Sequence, residues 1–301
     1  MQFADVKNDI AFRKIFGNEN RKDVLISFLN AILDFKGQQQ ISHVSILNPY
    51  QLPALRGGKA TIIDVKAKDQ RGHEYIVEMQ VAEVEGFNKR VLYYTSKSYI
   101  DQIDRGEFYS KLRPAIFIGI LDFPHTQNPH YISRHRILDI DTGEQCIKDI
   151  EFNFIELPKF GKQLEELQTL AEKWVFFLKE AETLKLLPDN LEDEGLKSAY
   201  EEANIQTWSK QELAAYDYAS MREQDERGRI EAAKRAAEKL GEARGEARGE
   251  ARGEKRGEKR GRALEKKSIA RNLLALGLDI KVIAANTGLS LEQVQHLAEE
   301  D

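Results

Sequence analysis

The stretch ATIIDVKAK (residues 60–68) and the stretch EYIVEMQV (residues 74–81), separated by a short polar break containing Arg71 and Gly72, decide the fold of this chain. Both are rich in β-branched and apolar residues, and a Gly-bearing break between two such runs predicts a β-hairpin. Alternate residues of a strand share a face. Ile62, Asp64 and Lys66 are therefore expected to point one way, and Ile76, Glu78 and Gln80 to share a face of the next strand. Two carboxylates thus interrupt hydrophobic strands. Burying carboxylates together is costly unless a cation or protons compensate their charge. Oxygen ligands from one or two carboxylates plus water suit Mg²⁺ or Mn²⁺. The plain alternative is a pair of solvent-exposed strand carboxylates.

Asp64 followed by Glu78-Met79-Gln80 resembles the signature of the PD-(D/E)XK nuclease superfamily, an Asp and then Glu-X-Lys on the adjoining strand, in a Glu-X-Gln variant. KNDIAFRKIFG (residues 7–17) and FNKRVLYY (residues 87–94) resemble the flanking motifs of one branch, the recombination-promoting nuclease (Rpn) family, whose members are grouped with transposases. The resemblance covers residues 1–160. It implies an α/β, restriction-endonuclease-like core and a Mg²⁺-dependent DNA endonuclease that hydrolyses phosphodiester bonds.

Under that resemblance, Asp64 and Glu78 bind the cation, with the backbone carbonyl of Met79 as a further ligand and Gln80 positioning the attacking water. Gln80 stands where most of the superfamily has lysine, and a neutral amide supplies no positive charge. Lys66, expected on the face of Asp64, is one candidate to supply it; the alternative for Lys66 is a strand-edge lysine in solvent. Arg90 and Tyr94 lie four apart on the following helix, hence on one face, where they would approach phosphate or brace the carboxylates. Asp9 is expected to cap the first helix rather than touch the metal. The departure at Gln80 keeps a second function class open: a catalytically weak nuclease-fold protein that serves as a DNA- or partner-binding regulatory module.

With 301 residues the chain is long enough for one sizeable core plus accessories, and its net charge of -5 neither invites nor forbids a polyanion. Cys146 is the one cysteine, so no internal disulfide can form and a reducing compartment is expected. The charged start MQFADVKNDI and the lack of a long apolar run lead to the expectation of a cytoplasmic protein without a membrane span. No zinc-type histidine spacing, P-loop, Rossmann fingerprint or Gly-x-Ser-x-Gly is present.

Apolar residues at Val24, Leu25, Phe28, Leu29, Ile32 and Leu33 predict an amphipathic helix over residues 21–35. Strands are expected over 41–47, 60–68 and 74–81, a helix over 87–103, and a buried strand at PAIFIGILDF (residues 114–123). The order is α-β-β-β-α-β, a mixed central sheet, with strand-like segments at 131–140 and 147–157 extending it. A helical C-terminal half follows: a helical region over 161–240, with Trp174 and Trp208 as packing residues, then a repeat at 241–267 and a last segment at 268–301.

The repeat GEARGEARGEARGEKRGEKRGR (residues 241–262) places glycine, glutamate and arginine each at intervals of four. Like charges at i,i+4 and a glycine every turn disfavour an isolated helix, each glycine by nearly 1 kcal/mol. A solvated, partly helical spacer, a homotypic helix pair and a nucleic-acid arm are the three readings. Residues 241–267 carry ten Lys or Arg against six Glu, so basic charge is concentrated but interleaved with acid. IKVIAANTGLSLEQVQHL (residues 280–297) has a helix-turn-helix pattern, with Ser290 and Gln293 forming a capping box. Its second helix offers Glu292, Gln293, Gln295, His296, Glu299 and Glu300 and no Lys or Arg for phosphate, which favours a structural or partner-binding role. DNA is the expected partner of the core, and a homo-oligomer is expected through the C-terminal helical region.

Overall fold

The computed structural model describes residues 1–51, 61–189 and 191–299. Two helices open the chain, α1 (Asp9–Phe16) and α2 (Lys22–Leu33). Strands β1 (Val44–Leu47), β2 (Tyr50–Gln51), β3 (Thr61–Ile62), β4 (Val65–Asp69) and β5 (Glu74–Gln80) follow, then α3 (Phe87–Ile100). Strands β6 (Ala115–Leu121), β7 (Ile132–Arg136) and β8 (Ile150–Glu156) complete the β structure. Helices α4 (Leu170–Glu180), α5 (Glu194–Ala203), α6 (Lys210–Ala275), α7 (Ile280–Thr287) and α8 (Leu291–Glu299) complete the described chain. Six strands form one mixed sheet in the order β1-β4-β5-β6-β8-β7. Its centre is parallel, β5 to β6 to β8, and the flanking pairs are antiparallel. This is the restriction-endonuclease-like α/β core that the resemblance implies.

Side-chain alternation sorts the two faces of the sheet. Val65, Ala67, Tyr75, Val77, Ile116, Ile118 and Ile120 pack with residues of α1, α2, α4 and α5 in the larger core. Ile76, Phe117, Leu121 and Phe154 face the other way, against Phe87 and Val91 of α3. β6 is buried along its whole length, which explains its uninterrupted apolar run. Trp174 lies at the middle of the larger core, its ring centroid 5.5 Å from Phe28 and 5.8 Å from Phe16, with Nε1 donating to Ser27 Oγ at 3.0 Å. Helix α5 comes so close to α2 that a Cβ on Gly195 would stand 2.5 Å from the Asp23 carbonyl oxygen. Helices α4 and α5 thus belong to the same core as the sheet.

The stretch 60–68 is not one strand. Ala60 lies outside the described residues, β3 pairs with β2 in a separate two-stranded sheet, and after Ile63 and Asp64 the chain joins the main sheet from Val65, opposite Val77. Ile63 N–H goes to the Pro49 carbonyl at 3.1 Å, and Asp64 N–H goes to a side chain, Glu78 Oε1, at 3.2 Å. A bend at Asp64 therefore replaces the expected strand position.

The chain divides into two compact units, residues 1–223 and 224–301. In the second, Ala270, Ile283, Val294 and Leu297 form a small core with Leu273, Leu274, Ile280, Ala284 and Leu289. The capping box is formed: Gln293 N–H donates to Ser290 Oγ at 3.2 Å, and Ser290 N–H to Gln293 Oε1 at 3.0 Å. The glycine-rich repeat is continuous helix within α6. Among the described residues, no helix is long and apolar enough to cross a membrane. Cys146 is exposed as a free thiol.

Candidate active site

Glu78 projects from β5 with Glu74, Ile76 and Gln80 on the face that α3 covers. Asp64 approaches from the bend before β4. Asp64 Oδ2 accepts the Met79 backbone N–H at 3.0 Å, while Asp64's own N–H goes to Glu78 Oε1 at 3.2 Å. The Gln80 carbonyl accepts from Asp122 N–H at 3.0 Å on the β6 side. Backbone groups of successive strand residues face opposite edges, so the N–H and carbonyl of Met79 share the edge that Asp64 occupies. Asp64, Glu78 and the Met79 carbonyl therefore converge where β4 has parted from β5.

The electrostatics of the pair are unfavourable by themselves. Burial pushes the Glu78 carboxyl up to about 8, and the neighbouring Asp64 charge adds to the shift. Burial also raises Asp64, against the Met79 N–H and the Arg13 hydrogen bonds that lower it. Two carboxyls that share a site and resist ionising are what a bound cation relieves.

Two arginines flank the pair. Arg13 of α1 donates to Asp64 Oδ1 from Nη2 at 2.9 Å and from Nε at 3.3 Å. Burial opposes the Arg13 charge, but Asp64, with Asp9 and Glu78 adding, holds its pKa above the ordinary value. Arg90 of α3 donates from Nη2 to Gln80 Oε1, and its guanidinium lies over the rings of Phe87 at 5.6 Å and Tyr94 at 5.9 Å. Its charge reaches Glu78, where it lowers the pKa. Tyr94 faces the same place: burial raises its hydroxyl pKa, with Glu78 and Asp64 adding to the rise against Arg90.

Gln80 is engaged at both ends of its amide. Nε2 donates to the Ala82 carbonyl at 2.8 Å while Oε1 receives Arg90.

Lys66 is not at the pair. Its Nζ lies 2.9 Å from Glu74 Oε2, which also accepts the Ser98 hydroxyl at 2.6 Å. Glu74 precedes Glu78 by four strand residues, a separation of roughly 13 Å. Neither expectation for Lys66 holds, because a buried carboxylate captures its ammonium away from both solvent and Asp64. The capping expectation for Asp9 also fails. Asn8 is the N-cap of α1, its Oδ1 accepting from Ile10 N–H at 2.9 Å and Ala11 N–H at 3.4 Å. Asp9 is exposed in the first turn, and its charge is felt by both Arg13 and Asp64. Arg13 escaped the sequence reading although it lies in the quoted stretch KNDIAFRKIFG. Its spacing of four from Asp9, which puts both on one side of α1, was the available signal.

A family model described as PD-(D/E)XK nuclease family transposase matches residues 6–233. The chain belongs to that family. A second match, to the C-terminal HTH domain of the Rpn/YhgA-like nuclease family, covers residues 264–299, the small core made by the end of α6 with α7 and α8. No curated protein and no solved structure matches the chain.

Membership in the PD-(D/E)XK family implies a divalent metal, and the donor set can be compared with that requirement. Among the described residues no group of three or more His, Cys, Asp or Glu is arranged to hold an ion. Two carboxylates and a backbone carbonyl are hard oxygen donors, too few for an all-protein Ca²⁺ cage. They fit an ion that keeps several of its waters, as Mg²⁺ does. The raised carboxyl pKa values supply the second element of fit, since both carboxyls stay raised despite Arg13 beside Asp64 and Arg90 beside Glu78.

Proposed function

We propose that the chain is a metal-dependent endonuclease that hydrolyses phosphodiester bonds in DNA, with Asp64, Glu78 and the Met79 carbonyl as the ligands of Mg²⁺ or Mn²⁺. The observation that supports this most is the meeting of two mutually destabilising carboxyls at Met79 with an arginine on either side. In the reaction, water adds to phosphorus, the bond from phosphorus to the leaving oxygen breaks, and the proton lost by the water is balanced by one gained at that oxygen. A divalent cation at such a site supplies Lewis-acid polarisation of the phosphate.

The chain's own residues supply the rest. Arg13, with 43% of its side chain exposed, holds Asp64 in place and presents its outer guanidinium face to an incoming phosphate. Arg90 delivers a fixed positive charge beside Glu78, suited to charge that builds on the phosphate oxygens. Gln80 works as the support of Arg90 rather than as the group that orients water. Tyr94 stacks against Arg90 from the same helix.

Incubating the purified chain with supercoiled plasmid, with and without Mg²⁺ or Mn²⁺, tests the reading directly. Nicking that needs metal and disappears in Asp64→Ala and Glu78→Ala supports it. Metal-independent nicking, or cleavage at wild-type rate in both variants, removes the assigned site.

One observation favours the second reading, a regulatory DNA- or partner-binding module with weak catalysis: the Gln80 amide, in the place of the superfamily's lysine, is tied to the Ala82 carbonyl and to Arg90 and carries no charge of its own. Under either reading we propose self-association through α6. The six glycines of the repeat each face open space where a Cβ would stand, so a second helix can approach closely. Deleting residues 241–301 should reduce the particle, by light scattering, to the mass of one truncated chain and leave metal binding by the remaining chain intact.

A further inference from the structure

The repeat interleaves acid and base in sequence, but a helix separates them in space. At about 100° per residue, Arg252, Lys255, Arg256, Lys259, Arg260, Lys266 and Lys267 fall within an arc of roughly 140° on α6. Glu250, Glu254, Glu258 and Glu265 fall within roughly 80° centred on the opposite side. All of these side chains are exposed. Over residues 252–271 the chain carries nine Lys or Arg against three Glu, a local charge of +6 in a protein whose net charge is -5. The basic side is also the side on which Ala270 and Leu274 pack against α7 and α8. Lys266 reaches the helix-turn-helix turn itself: its Nζ stands 3.0 Å from where a Cβ on Gly288 would be. The second helix of that motif, α8, offers Glu292, Gln293, Gln295 and Glu299 and no Lys or Arg.

From this arrangement we infer that the C-terminal half of α6, and not α8, is a DNA-backbone contact of this protein. Its basic face lies along the phosphates of a duplex beside the helix-turn-helix. The inference rests on DNA being the substrate and adds a second contact outside the catalytic pair. Residues 252–267 span about 22 Å, the length of some six base pairs, so the face meets several phosphates of one strand. Such contacts position a duplex without reading its sequence. They also explain how an acidic protein holds a polyanion: over residues 250–267 the acid of α6 is turned away from it.

The test separates a charged face from mere net charge. The set E254R, R256E, E265K and K267E keeps composition and net charge but places two glutamates within the basic face. It also creates favourable i,i+4 pairs with Glu250, Glu258, Arg252, Arg260 and Arg271 in place of repulsive neighbours, so the helix is not weakened. Binding of a 30-base-pair duplex is measured in EDTA across a salt series, in a full-length Asp64→Ala background that cannot cut, with helicity checked by circular dichroism. The expected result is at least a tenfold loss of affinity near 50 mM salt and a salt slope shallower by about 2. Unchanged affinity and slope, or no duplex binding by the unswapped chain, overturns the inference. Cleavage assays on the swapped chain with Asp64 restored keep the two readings apart. A wild-type chain that binds through this face and cuts nothing with any metal removes the nuclease reading alone. A chain that cuts normally after the swap, with binding unchanged, removes the α6 contact alone.

Discussion

Gln80 and Arg90 are joined side chain to side chain: the Gln80 carboxamide oxygen accepts from Arg90 Nη2 while its nitrogen is tied to the Ala82 carbonyl 2.8 Å away. The residue that replaces the superfamily's lysine therefore carries a cation rather than being one. Restoring lysine by Gln80→Lys removes the acceptor and sets an ammonium against the guanidinium. Plasmid nicking should fall at least tenfold, whereas Gln80→Glu, which keeps an acceptor for Arg90, should stay well above it. Nicking by the lysine variant at or above the wild-type rate would show that Arg90 does not need this support.

The carboxyl pair should cost stability and yield metal binding. Glu78→Gln keeps the acceptor for Asp64 N–H and removes a charge that burial disfavours. Without added metal its melting temperature should equal or exceed that of the wild type. Adding Mg²⁺ should raise the wild-type melting temperature and leave the variant's unchanged, since only a ligand bound by the native state shifts the equilibrium. A clear drop in the metal-free melting temperature would contradict the view that the pair is strained.

The turn between β4 and β5 sets a pH dependence. Asp69, whose side chain is fully buried, accepts from Arg71 N–H at 2.8 Å, Arg71 Nε at 2.9 Å, His73 N–H at 2.9 Å and the Tyr75 hydroxyl at 3.0 Å. Burial would raise its pKa, but these donors together hold it below the ordinary 3.8. A carboxyl depressed on folding stabilises above its unfolded pKa, and that contribution is lost as pH falls toward the folded value. Asp69→Asn should cost about 3 kcal/mol near neutral pH, and the gap to wild type should narrow only below pH 3.8. Urea titrations at several pH values measure it; a gap that already closes at pH 6 would assign the effect to another group.

Asn8 and Asp9 make opposite predictions despite adjacency. Asn8 is 2% exposed, caps α1, and donates from Nδ2 to Ser220 Oγ at 3.1 Å. Asn8→Ala should cost about 1–2 kcal/mol. Asp9→Ala, which removes only an exposed charge, should stay within about 0.5 kcal/mol. Equal losses in chemical denaturation would return the capping role to Asp9.

The lasting content of the sequence lies where backbone geometry imposes a short period. Alternation in β5 put Glu78 with Ile76 and Gln80 on one face because a strand has no other option, and Ala115–Leu121 read as a doubly covered strand because every residue in it is apolar. The helical spacing of α2 and the Ser290–Gln293 capping box are equally local, and both formed. Pairings between distant segments were not legible. Arg13 meets Asp64 across 51 residues of chain. Lys66 is taken by Glu74 and Ser98 because α3 closes over that face. Asp64 stays outside the β4–β5 ladder, its N–H taken up by the Glu78 side chain in place of a backbone carbonyl. Periodicity follows from bond geometry within a few residues, whereas the partner of a buried charge is chosen by which elements pack together, and only the folded chain brings those elements into reach.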